Sequence, residues 1–151
     1  VEMRKSGKRK PVGASAPMLV MRGLVSDQLE IRERMAVQAF SGGWATIADF
    51  DTLADMQGCL LLAGTTSKER EPAAKWAKEV LGKTLGSIRA RYVKTKKMGC
   101  TAEELKVIRS FVGRYRDFWL RQPFGLYQAA CQQLQVEYDR MAKEQDARLA
   151  A

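Results

Sequence analysis

Apolar residues recur at three- and four-residue intervals through five successive stretches, and helix-starting and helix-stopping residues bound each stretch. The first runs from about Ser26, a candidate cap, to Phe40. Val25, Leu29, Ala36 and Phe40 share one face, and Ser41, Gly42 and Gly43 end it. Thr46, with Asp49 three residues on, opens the second through an acidic variant of the capping box. Its stripe is Ile47, Phe50, Leu53, Ala54, Gln57 and Leu61, and Gly64 followed by Thr65, Thr66 and Ser67 stops it.

The third helix is predicted to start between Ser67 and Pro72, since proline is tolerated in a first turn. Trp76, Val80, Leu81, Leu85, Ile88 and Tyr92 form its buried face, and Gly99 ends it. Gly82 and Gly86 lie inside it, at a spacing that could let a second helix approach closely. Thr101-Ala102-Glu103-Glu104 is a full capping box for the fourth helix. That helix carries Leu105, Ile108, Val112, Tyr115 and Trp119, with Phe111 and Phe118 widening the stripe, and breaks at Pro123 and Gly125. The fifth spans Leu126 to Leu149 with Ala130, Leu134, Tyr138 and Met141 on one side, and its polar end is expected to project or fray.

No stretch shows period-two alternation between turn signals, so no sheet is assigned. Short connections between amphipathic helices favour antiparallel neighbours. The prediction is an all-α, antiparallel four- to five-helix bundle forming one domain over residues 18–151. Residues 1–17 read as a flexible basic tail, because Arg4, Lys5, Lys8, Arg9 and Lys10 alternate with glycine, serine and proline. That tail suits either an arm that grips phosphate or a solubilising end.

Composition narrows the chemistry. The chain has no histidine, which removes the commonest general base and transition-metal ligand and excludes Ser/His/Asp and Cys/His machinery. Cys59, Cys100 and Cys131 are odd in number, widely spaced and without a CxxC pair, so neither a disulfide framework, a zinc site nor thiol redox chemistry is expected. A reducing, cytoplasmic compartment follows. Asp49, Asp51 and Asp55 have the donors for a magnesium or acid–base site, but their place in the first turns of a helix favours capping and dipole roles. No cofactor is implied. No segment is apolar enough to cross a bilayer, and the Met18–Met21 run is too short for a signal peptide. Val1 and Glu2 precede Met3, which reads as the native start.

Charge changes the picture most. Between Lys83 and Arg121 eleven basic residues face three acidic ones, a net +8 against +9 for the whole chain. Regional positive charge is how a protein neutralises phosphates and gains affinity by releasing counterions. The candidate nucleic-acid-binding residues are Arg89, Arg91, Lys94, Lys96, Lys97, Lys106, Arg109, Arg114, Arg116 and Arg121, joined by the tail residues. The 94–99 turn gives a helix–turn–helix outline, with Lys106, Arg109 and Arg116 on the polar side of the fourth helix. A solvated charged face accounts for the same pattern.

Tyr115, Phe118, Trp119, Phe124 and Tyr127 cluster around Pro123 and read as core, with base stacking as the alternative. Trp44, in a glycine-rich connection, either pins that loop or anchors an interface. Cys100 sits near Lys96 and Lys97, a setting that could lower its pKa, but without a catalytic partner.

Two stretches resemble small helical proteins of proteobacterial plasmids and prophages. They are Phe40-Ser41-Gly42-Gly43-Trp44-Ala45-Thr46 with Asp49-Phe50-Asp51-Thr52-Leu53-Ala54-Asp55, and Arg91-Tyr92-Val93-Lys94-Thr95 with Gly99 and Glu104-Leu105. The resemblance covers about a third of the chain, mostly caps and core positions. It implies a mobile-element origin and no activity.

The expected function is a non-enzymatic, nucleic-acid-associated accessory or regulatory protein that docks a basic helical face on phosphate, with DNA as the expected partner. The alternative is a protein-interaction module, an inhibitor or adaptor, that binds an acidic surface of a host protein. A homodimer built on the apolar faces fits either. A small histidine-free enzyme, the third possibility, requires metal dependence or a buried, perturbed carboxylate.

Overall fold

The computed structural model describes residues 24–151, with side chains from Ile31 onward. The tail residues Arg4, Lys5, Lys8, Arg9 and Lys10, and the side chains of Val25 and Leu29, lie outside the described residues. The described chain is all-α, with five helices and no strand. They are α1 (Leu24–Gly42), α2 (Ile47–Gly64), α3 (residues 71–95), α4 (Ala102–Leu120) and α5 (Phe124–Ala150). Ser26 is inside α1 rather than at its start.

The Thr101–Glu104 capping box closes in both directions, whereas at Thr46 only the half that the Asp49 carboxylate accepts is made. The Thr46 backbone N–H and hydroxyl donate to the Asp49 carboxylate at 2.8 and 3.1 Å. The Thr101 N–H donates to Glu104 at 2.9 Å, and the Glu104 N–H returns a bond to the Thr101 hydroxyl. Each pair satisfies donors that a helix start leaves without intrahelical acceptors.

Helix α2 is the centre of the bundle and packs against α1, α3 and α5. From Thr52 to Gly64 none of its residues is exposed. This corrects the single stripe read from the sequence. Ile47 is half exposed, while Met56, Cys59, Leu60 and Ala63 are core. A stripe describes a helix with one wet face, and α2 between Thr52 and Gly64 has none.

Helix α3 is a continuous rod with a π-helical turn, Ala77–Leu81, between α-helical segments Glu71–Trp76 and Gly82–Thr95. The Ala77 carbonyl accepts from the Gly82 N–H and from Gln57 Nε2 at 3.1 Å. A side chain from α2 thus enters the ladder of α3 where the hydrogen-bond spacing widens. Gly86 has open space where a Cβ would stand, so the suggested glycine-lined approach is not made there. It is made on α2. A Cβ on Gly64 would fall 2.2 Å from the Ala74 Cβ, and one on Gly58 2.7 Å from Leu134 Cδ1.

Helix α3 also ends earlier than Gly99. Lys96 takes the left-handed terminating position (φ 60°), and its N–H donates to the Tyr92 carbonyl at 2.7 Å. Glycine would hold that conformation at lower cost. Helix α4 turns Ile108, Phe111, Tyr115 and Trp119 into the core. Phe111 stacks on Trp76, and Trp119 meets Phe118 and Tyr127 edge-on, so most of the aromatic cluster is core. Helix α5 returns along α2, and from Tyr138 to Ala151 every residue is exposed. Its last turns therefore project beyond the bundle.

Candidate nucleic-acid interface

The connections 43–46 and 96–101 lie side by side at one end of the bundle. A groove there is lined by Ala45, Thr46, Ile47 and Ala48 from one side and Tyr92, Lys96 and Met98 from the other. The Arg109 guanidinium donates to Ser41 Oγ at 3.1 Å, and Cys100 Sγ lies 3.8 Å from the Phe40 carbonyl oxygen. These contacts hold the start of α4 against the end of α1.

Lys94, Lys96 and Lys97 are exposed at this end and make no ion pair among the described residues. The tight left-handed turn brings them together. The Thr95 hydroxyl donates to the Arg91 carbonyl and accepts from the Lys97 N–H. At the same end of the bundle stand three apolar side chains that a solvated face does not need: Trp44, Ile47 and Val93 are 58%, 51% and 61% exposed. Both proposals for Trp44 have a structural counterpart. Its backbone N–H donates to the Ala39 carbonyl at 3.0 Å and its ring lies over Gly42, yet the residue is 58% exposed. Ile47 and Val93 were missed because their positions read as helix interior. Only the neighbouring loop shows them to be at the bundle's end.

The other candidates divide by place. Arg89 is exposed on α3, one to two turns before the lysines, and Lys106 is exposed but bridged to Glu103 at 3.3 Å. Arg91 is a structural staple, donating to the Gly99 carbonyl and to Glu104. Arg114 lies 4.2 Å from the Trp76 ring centroid, a cation–π contact away from the lysine end. Arg116 is half-buried and engaged in an interaction of its own. Arg121 sits at the opposite end of α4, about 30 Å of helix from Thr101, beside Gln122, which accepts from Arg70.

Helices α3 and α4 run antiparallel, with Arg91 against Glu104 and Trp76 against Phe111. These contacts lie fifteen residues apart on α3 and seven apart on α4, so the two helices cross at an angle rather than lie alongside over their length. The α4 start is also acidic, with Glu103 and Glu104, and its capping box is closed. The acidic first turn of α4 opposes an anion at that helix start, and the positive charge of this end is carried by the lysine side chains.

Glu104 shows how the turn is held. Burial pushes its carboxyl up, but hydrogen bonds from Arg91 and Thr101 and the Arg91 charge outweigh this and hold it below the usual range. A lowered folded-state pKa stabilises above the unfolded value, and the stabilisation disappears as pH falls through the folded one. The stability advantage of the native chain over Glu104→Gln is expected to shrink from about pH 5 downward. Urea melts at neutral and acid pH measure it, and a constant difference would show that the carboxylate charge is immaterial.

Cys100 departs from expectation. Burial and the Glu104 charge raise its thiol pKa despite Arg91 and Arg109, so it is not an activated thiol. Asp49 caps α2, and Asp55 accepts from the Tyr138 hydroxyl at 2.7 Å. Among the described residues no group of three His, Cys, Asp or Glu side chains could hold a metal ion. No helix among them is long and apolar enough to cross a membrane.

The five-helix all-α bundle with a lysine-rich end is thus the class the geometry defines. No protein-family model, curated protein or solved structure matches the chain.

Proposed function

We propose that the chain is a non-enzymatic nucleic-acid-associated accessory or regulatory protein of a mobile element, acting in the cytoplasm. It docks the lysine-rich end of the bundle on the phosphate backbone. The observation that carries this reading is the grouping of Lys94, Lys96 and Lys97, without ion-pair partners among the described residues, at the same end of the bundle as the exposed Trp44. Lysine side chains supply counterion release without sequence selection, and an exposed indole offers a stacking surface for an unpaired base. Arg89, Lys106 and Arg109 flank the cluster and extend its field.

Fluorescence anisotropy with labelled duplex and single-stranded DNA across a salt series tests this. Affinity is expected to fall steeply with salt. The combined Lys94→Gln, Lys96→Gln and Lys97→Gln variant should lower the salt slope by about 2–3, near 0.7–0.9 per lost phosphate contact. Trp44→Ala should weaken single-strand binding more than duplex binding. Absence of binding at low salt, or an unchanged slope in the folded triple variant, would reject the proposal.

The exposed apolar trio favours one second reading, a module that binds an acidic protein surface. Trp44, Ile47 and Val93 would then form the anchor of the interface, and the lysines its charged rim. Tight binding to one protein combined with indifference to DNA marks that outcome.

A further inference from the structure

Away from the lysine end, α2 and α5 border a cleft of about 180 Å³ whose lining includes Glu33, Asp55, Cys59, Tyr127 and Cys131. The two cysteines, far apart in sequence, have sulfurs 3.7 Å apart. Cys59 is buried, Cys131 is half-buried, and both are free thiols. The register that joins them is fixed on one side of the pair. The Tyr138 hydroxyl donates to Asp55, and Gly58 gives Leu134 the space that a Cβ would occupy. A disulfide of about 2.0 Å requires the sulfurs to close by less than 2 Å, within reach of side-chain rotation.

We propose that Cys59 and Cys131 are a redox-active dithiol that a small hydroperoxide converts into a disulfide between α2 and α5, with Cys131 as the attacking sulfur. Cys131 has the better access to the cleft. Hydrogen bonds from Cys59 and, after the opposing effect of burial, from Tyr127 favour its thiolate, with the Asp55 charge acting against them. The same sulfur contact and, after it, burial keep Cys59 protonated.

The Cys131 thiol first loses its proton to water, and the thiolate attacks the terminal peroxide oxygen. The O–O bond breaks, Cys131 becomes a sulfenic acid, and the departing alkoxide takes up a proton to leave as the alcohol. Cys59 then gives up its proton, and its sulfur attacks Cys131 Sγ. The S–O bond breaks, and the departing hydroxide leaves as water with that proton. Two thiols have lost two electrons, and one hydroperoxide has been reduced to alcohol and water.

The test treats the full chain with hydrogen peroxide and maps linkages by mass spectrometry without reduction. The expected product has lost two hydrogens, carries a 59–131 link and keeps Cys100 free. Its melting temperature should rise by roughly 5–10 °C, reversibly with dithiothreitol, because the bond closes a long loop. Cys59→Ala should stop at a sulfenic acid on Cys131 that dimedone traps, whereas Cys131→Ala should react at least tenfold more slowly. Cys100→Ser should leave the link unchanged. Several results would overturn the proposal: a linkage through Cys100, over-oxidation without a 59–131 bond, or equal formation of that bond in the urea-unfolded chain. Equal reaction rates for the two alanine variants would overturn the assignment of Cys131.

Discussion

Phe111→Ala is expected to destabilise the bundle by about 3–5 kcal/mol, the usual cost of emptying a buried aromatic site. Phe111 is fully buried, stacks on Trp76 at 6.1 Å between centroids and tilts against Tyr115 at 5.7 Å. It therefore joins α3 to the aromatic ladder of α4, and helix propensity does little to close the gap left by its ring. A domain is typically stable by about 5–15 kcal/mol, so this one side chain accounts for a large share. The loss should reach the surface too, since Trp76 also carries the Arg114 guanidinium. Urea melts followed by circular dichroism measure it, with half-buried Val112→Ala as the neighbouring comparison. A loss no greater than that of Val112→Ala would mean that the α3–α4 seam repacks freely.

Gly64→Ala is expected to destabilise the chain by about 1–3 kcal/mol, although alanine is the better helix former by about 1 kcal/mol. The added Cβ would lie 2.2 Å from the Ala74 Cβ and 3.5 Å from the Arg70 carbonyl oxygen. Carbon atoms prefer about 3.5–4.0 Å, so α3 would have to move away from α2. Gly86→Ala serves as the control. Its Cβ meets nothing within 4 Å, so the same substitution there should stabilise by up to about 1 kcal/mol. Adding Ala74→Gly to Gly64→Ala should recover part of the loss, and thermal melts of the four proteins measure all of these effects. A stabilising Gly64→Ala would show that the α2–α3 contact has room to spare.

The lysine end illustrates how far local reading extends. The excess of Lys and Arg between Lys83 and Arg121 is plain in the chain, but the residues do not act as one surface. Arg91 and Arg114 are engaged by Glu104 and Trp76, and Arg121 stands at the far end of α4. Partners contributed by another helix cannot be read from spacing along one. The same limit hid Ile47 and Val93, which are exposed only because the bundle ends beside them.

By itself, the sequence determined the helical class, the capped starts at Thr46 and Thr101, and the apolar faces of α3 and α4. These depend on interactions within three to four residues, which local chemistry decides. Tertiary structure alone decided that α2 is central, and so buried all round from Thr52 to Gly64 rather than along one stripe. It decided that close approach occurs at Gly64 and Gly58 rather than Gly86, and that Cys59 meets Cys131. Each of these depends on which helix lies opposite and in what register. That choice is made by the packing of five helices together, where burial and side-chain volume, summed over many weak contacts, outweigh any local preference.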